Sequence, residues 1–150
     1  MNAANRLERL QDAARDDPEA FWGSVADEFV HWSRKPSRVF VDEPPTFRWF
    51  EGGLTNIAWS AVDRNIEEGR GDQVAIIGAD ERGGRRSVTY HELLELVRRI
   101  AAALRGLGVG RGDRVTIYMP TTIEAIATML AAARIGAIHS VVFEIGRAHV

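Results

Sequence analysis

The sequence has no cysteine. That excludes a disulfide framework, a thiolate nucleophile and any cysteine-ligated zinc site. It has one lysine, Lys35, among 19 basic residues, a skew towards arginine that reflects base composition rather than chemistry. No apolar run is long enough to cross a bilayer, and Arg6, Glu8 and Arg9 stand where a secretory signal needs an apolar core. The chain is therefore read as cytoplasmic, with no membrane partner. A net charge of −2 leaves no basic footprint for nucleic acid. His31, His91 and His139 show no metal-ligand spacing, so no metal site is expected. What remains, 150 residues at 45% apolar and 27% charged, is the composition of an ordinary soluble domain with a real core.

The pattern along the chain predicts an α/β protein. Leu7, Leu10, Ala13 and Ala14 recur at helical spacing, and Asp16-Asp17-Pro18 opens a second helix carrying Phe21, Trp22, Val25, Ala26 and Phe29. From residue 35 to 50, Pro36, Pro44 and Pro45 are expected to break regular structure in an arm of large rings, Trp32, Phe40, Phe47, Trp49 and Phe50. Asn56 reads as the N-cap of a helix with Ile57, Ala58, Ala61, Val62 and Ile66 on one face, ending near Gly69. Residues 73–78 and 85–88 read as a hairpin with its tip at Asp80 to Gly84, and Thr89-Tyr90-His91-Glu92 as a capping box opening a long helix. Residues 114–118, a helix capped by Thr121 or Thr122, and residues 137–143 form a parallel βαβ crossover in a sheet with helices on both faces. One crossover and one hairpin, fed by an aromatic arm with nothing to pack on, is the front part of something larger.

No constellation of residues completes a chemistry. Gly106, Gly108, Gly110 and Gly112 follow a helix and precede a strand, the reverse of a phosphate cradle, and read as a helix C-cap and turn. Arg82-Gly83-Gly84-Arg85-Arg86 reads as a hairpin tip with solvated arginines rather than an anion nest. Thr121-Thr122 lies at the carboxyl end of a parallel strand, where open α/β sheets bind ligands, but helix capping is its simpler role. No catalytic residue is assigned.

Tyr118-Met119-Pro120 and the run from Ala132 to Phe143 (AARIGAIHSVVF) closely resemble the AMP-forming acyl-CoA synthetases, in particular the acetyl- and propionyl-CoA synthetase branch. Trp49-Phe50, Leu54-Thr55-Asn56, Asp63-Arg64, Thr89-Tyr90-His91-Glu92-Leu93 and the turn from Leu107 to Asp113 carry the same resemblance, which runs from about Phe21 to Phe143. It implies a two-step acid–thiol ligase. A carboxylic acid attacks the α-phosphate of Mg-ATP to give an acyl-adenylate, and coenzyme A then takes the acyl group. The resemblance implies residues 1–70 as a helical and aromatic arm and residues 71–143 as the start of the large AMP-binding lobe. It places Phe143 near the adenine of coenzyme A and favours acetate or propionate as substrate. The motifs for phosphate binding and adenylation have no match, so the chain alone is expected to be inactive. After Phe143 the family has Gly-Gly-Phe or Ala-Gly-Phe, where this chain has Glu144-Ile145-Gly146. Residues 144–150 read as a non-native tail, since Glu144 to Val150 can be encoded by codons that, after the first base, read as a common sequencing-library adapter. Two other readings stay open: a free-standing, non-catalytic α/β binding module, and a piece of an adenylase that does not use coenzyme A.

Overall fold

The computed structural model describes residues 3–80 and 82–142. Phe143 and the tail at 144–150 lie outside the described residues. The chain divides into two compact units, Met1–Thr55 and Asn56–Val150.

In the first unit, helices α1 (Ala3–Asp16) and α2 (Pro18–Phe29) meet at Asp17. The Asp17 carboxylate accepts the Ala20 amide at 2.9 Å, and Pro18 takes the first helical position, where an amide hydrogen would have no partner. The aromatic arm is not irregular as expected. Strands β1 (Arg38–Glu43) and β2 (Thr46–Glu51) form an antiparallel hairpin with Phe40 opposite Trp49. Pro44 and Pro45, joined by a cis peptide, occupy the turn, where neither takes an amide hydrogen from the ladder. Val41, only 1% exposed, and Ala26 on α2 belong to this unit's core. Phe40 packs its ring 4.4 Å from Trp49 and stacks on Phe47 at 6.3 Å, and Phe47 and Trp49 remain exposed.

The second unit opens at Asn56, whose Oδ1 accepts the amides of Ala58 at 3.0 Å and Trp59 at 3.4 Å. The helical segment that follows widens into π-helical turns at Trp59–Asp63 and Ile66–Arg70, with Gly69 departing at φ +78°. Wide turns take more residues per revolution than an α-helix, which splits the expected apolar stripe. Ala58 and Val62 are fully buried, while Ile57 and Ala61 face outward. Because Val62 and Ile66 join the core of this unit, the compact units divide at 55/56, earlier than the sequence boundary at 70/71.

Strands β3 (Val74–Ala79) and β4 (Arg85–Thr89) pair antiparallel. Thr89 then caps α3 (Tyr90–Gly106): its Oγ1 accepts the Glu92 amide at 3.2 Å, and the Glu92 carboxylate accepts the Thr89 amide at 2.7 Å. The glycine series follows as a C-cap and turn, with Gly108 and Gly112 at φ +86° and +87°. Strand β5 (Arg114–Tyr118), helix α4 (Ile123–Arg134) and strand β6 (Ile138–Val142) complete the crossover, with β5 and β6 parallel from Arg114 opposite Ile138 to Tyr118 opposite Val142. Ala127, Ala131 and Ala132 of α4 and Val97 of α3 are fully buried, small side chains that let the two helices approach closely. Among the described residues only one face of the β5–β6 pair is covered. Tyr118, Ile138 and Val142 on the other are 70%, 58% and 40% exposed, where the sequence pattern predicts a covering helix.

Candidate functional site

The carboxyl ends of β5 and β6 define the edge at which an open parallel sheet takes ligands. There, Thr122 Oγ1 accepts the Ala125 amide at 3.2 Å and so caps α4, the role its position predicts. A cavity of about 330 Å³ opens beside it, lined among others by Gly78, Asp80, Arg85, Thr121 and Glu124. Asp80 closes the β3–β4 tip by accepting the amides of Arg82 at 2.9 Å and Gly84 at 2.8 Å.

The tip arginines are exposed, as expected, and one of them also makes an ion pair. Arg86 reaches across to α4 and binds the Glu124 carboxylate at 2.5 Å. This hydrogen bond holds the Glu124 carboxyl below the usual glutamate range. A lowered folded-state pKa adds stability above the ordinary glutamate range, and that stability is lost as pH falls through the lowered value. Arg86→Ala should therefore raise the titration midpoint of Glu124, followed by NMR at the carboxyl carbon, towards the ordinary value. An unmoved midpoint would show that the pair does not persist in solution. Asp80 and Glu124 share this edge with Arg85 and Arg86, and Thr122 takes the Ala125 amide of α4. Phe143 lies beyond the described end of β6, so its surroundings form no part of this geometry.

The strongest polar cluster lies at the opposite end of the crossover. Asp63 is 8% exposed, and its two carboxylate oxygens accept from Arg134 at 2.7 and 2.8 Å. This bidentate contact raises the Arg134 pKa further above its ordinary value. Asn56 caps its own helical segment with Oδ1 and donates from Nδ2 to the carbonyls of Ala133 and Arg134, both at 3.2 Å. Those are last-turn carbonyls of α4, and that of Ala133 also accepts the Gly136 amide at 3.1 Å. Asn56, Asp63 and Arg134 all stand in segments that carry the family resemblance, yet nothing in the sequence joins them. The 57–70 segment also holds Arg64, Glu67, Glu68 and Arg70, so no sequence signal singles out Asp63 as the partner of Arg134.

Residues 62–148 match the model of a family described as AMP-binding enzyme, and residues 7–61 match one described as acetyl-coenzyme A synthetase N-terminus. The chain is 50% identical over 136 residues to the acetyl-coenzyme A synthetase of Deinococcus radiodurans, covering 91% of this chain and 21% of that protein. It is 48% identical over 134 residues to the 3-hydroxypropionyl-coenzyme A synthetase of Metallosphaera sedula, covering 89% and 20%. It superposes on the acetoacetyl-CoA synthetase from Streptomyces lividans with a TM-score of 0.80 at 34% identity, over 88% of this chain and 20% of that one. The chain thus spans about a fifth of the length of the relatives it matches. With 62–148 accounted for by a single family model, and the expected fold and motifs in place, the chain belongs to the AMP-binding enzyme family.

Proposed function

We propose that this sequence forms the opening part of a longer acid–thiol ligase, which activates a short carboxylic acid with Mg-ATP to an acyl-adenylate and passes the acyl group to coenzyme A. The observation that carries this reading is the match, at close to half identity over nine-tenths of the chain, to proteins named as coenzyme A synthetases. The same names argue against both a free-standing binding module and an adenylase that does not use coenzyme A.

Within that enzyme the residues described here are scaffold. They build the crossover, set its ligand edge and supply no group placed to act on a phosphate. The triphosphate and its magnesium are held by residues outside this chain, and the end of β6, leading to Phe143, faces the adenine of coenzyme A. Small-molecule substrates are its partners. No described helix is long and apolar enough to cross a membrane, and we place the enzyme in the cytoplasm.

The relatives' names carry acetyl, 3-hydroxypropionyl and acetoacetyl groups, all short, which supports acetate or propionate as the acid. An acid series assayed on the longer polypeptide tests this. The highest kcat/KM is expected with acetate or propionate, with a fall for each chain extension beyond them, and a preference for medium-chain fatty acids would contradict it.

A further inference from the structure

The second half of α3 carries two arginines on one face. Arg98 and Arg105 stand two turns apart, about 10 Å along the axis, with Ala101 and Ala102 between them on the same side. Alanines fill little space, and a cavity of about 380 Å³ opens there, its lining completed by Arg134 and Ile135 at the end of α4. That lining holds three arginines and no carboxylate, on a chain whose net charge is −2. Arg98 and Arg105 are exposed, and among the described residues neither has a hydrogen-bond or ion-pair partner. Glu95, a turn before Arg98, lies 3.8 Å from Arg99, and Asp63 is taken by Arg134. Asp63 occupies two of the five N–H donors of the Arg134 guanidinium, so three are left. The helix dipole accounts for Arg105 and Arg134, each in the last turn of its helix, but not for Arg98, two turns further in.

We propose that this cavity binds a small anion carrying two phosphate groups, either inorganic pyrophosphate or the diphosphate of a nucleotide. A guanidinium matches phosphate oxygens with paired N–H donors, and three of them rooted on two helices suit two linked phosphates better than one. The volume falls at the lower end of the range for small-ligand sites, enough for a diphosphate. The lining holds no base and no nucleophile, so the anion is held without reacting. The cavity lies at the end of α4 that leads into the start of β6, away from the carboxyl ends of the strands, and does not depend on the ligase reading.

Amide hydrogen exchange on the longer polypeptide, read at residues 98–105 and in the last turn of α4, tests this. Inorganic pyrophosphate, ADP, orthophosphate and sulfate are added in turn at equal ionic strength. Pyrophosphate, ADP or both should slow exchange in these two stretches; pyrophosphate alone would identify the free anion as the ligand, and ADP alone the nucleotide. Arg98→Gln and Arg105→Gln, at exposed and unpaired positions, should each raise the concentration giving half-protection about tenfold or more, and leave exchange without the anion unchanged. Ala102→Leu keeps every charge while filling the space between the arginines, and should abolish the protection. Arg134 is left in place, because its loss would unpair Asp63. Equal protection by orthophosphate or sulfate, protection that survives in the Arg98→Gln, Arg105→Gln double variant, or none with either diphosphate would overturn the site. No turnover is read, so each of these outcomes leaves the ligase reading as it stands.

Discussion

Replacing Asp63 with alanine should accelerate amide hydrogen exchange in α4 and at the start of β6 by roughly thirty- to a hundredfold, corresponding to about 2–3 kcal/mol of lost local stability. Removing one member of a buried ion pair typically costs about 3–5 kcal/mol, because the survivor is left desolvated and unpaired. The lower figure applies here because the Arg134 side chain keeps 25% of its surface accessible, against 11% for Asp63, and can recover some hydration. The double replacement Asp63→Ala with Arg134→Met should recover part of the loss, since no unpaired charge remains. The two single changes should thus be non-additive by about 1 kcal/mol or more. Exchange measured on the longer polypeptide checks this, and protection in α4 equal to wild type in Asp63→Ala would show that the pair contributes nothing there.

The elements that the sequence shows plainly are those whose signals are local. The Thr89–Glu92 capping box, the Thr122 cap and the crossover from Arg114 to Val142 each depend on residues a few positions apart, and each forms as expected. The β1–β2 hairpin was hidden by the prolines at its centre. A proline disrupts a strand but not a turn, and only the pairing of Phe40 with Trp49 reveals which of the two Pro44 and Pro45 occupy. The 57–70 segment carries an α-helical apolar pattern but adopts wider turns, with Val62 buried in the core it shares with α3. The pairs Arg86–Glu124 and Asp63–Arg134 join residues 38 and 71 apart in sequence, so only the folded chain brings them together. Which charged groups meet at the cavity beside β5 was not legible, because Asp80, Arg85, Arg86 and Glu124 come from separate stretches of the chain.

The 150-residue chain alone should release no AMP in response to any short acid. Charge that develops on a phosphate and a carboxylate in the adenylation transition state must meet preorganised donors, and losing even one such donor typically costs about 10²–10³ in rate. Several of the chain's cations are already engaged. Lys35, the only lysine, binds Asp27 at 2.8 Å, Arg86 binds Glu124, and Arg134 holds Asp63 with two of its nitrogens. At the β5 edge the described cations, Arg85 and Arg86, are matched by two carboxylates, Asp80 and Glu124.

The most direct test of this account is to measure acid-dependent AMP formation by the 150-residue chain and by the longer polypeptide that contains it, side by side, with acetate or propionate, Mg-ATP and coenzyme A. The account predicts turnover with acyl-CoA as product for the longer polypeptide and a rate equal to the no-enzyme blank for the short chain. AMP formation by the short chain, or a longer polypeptide that forms no acyl-CoA from any short acid, would contradict it.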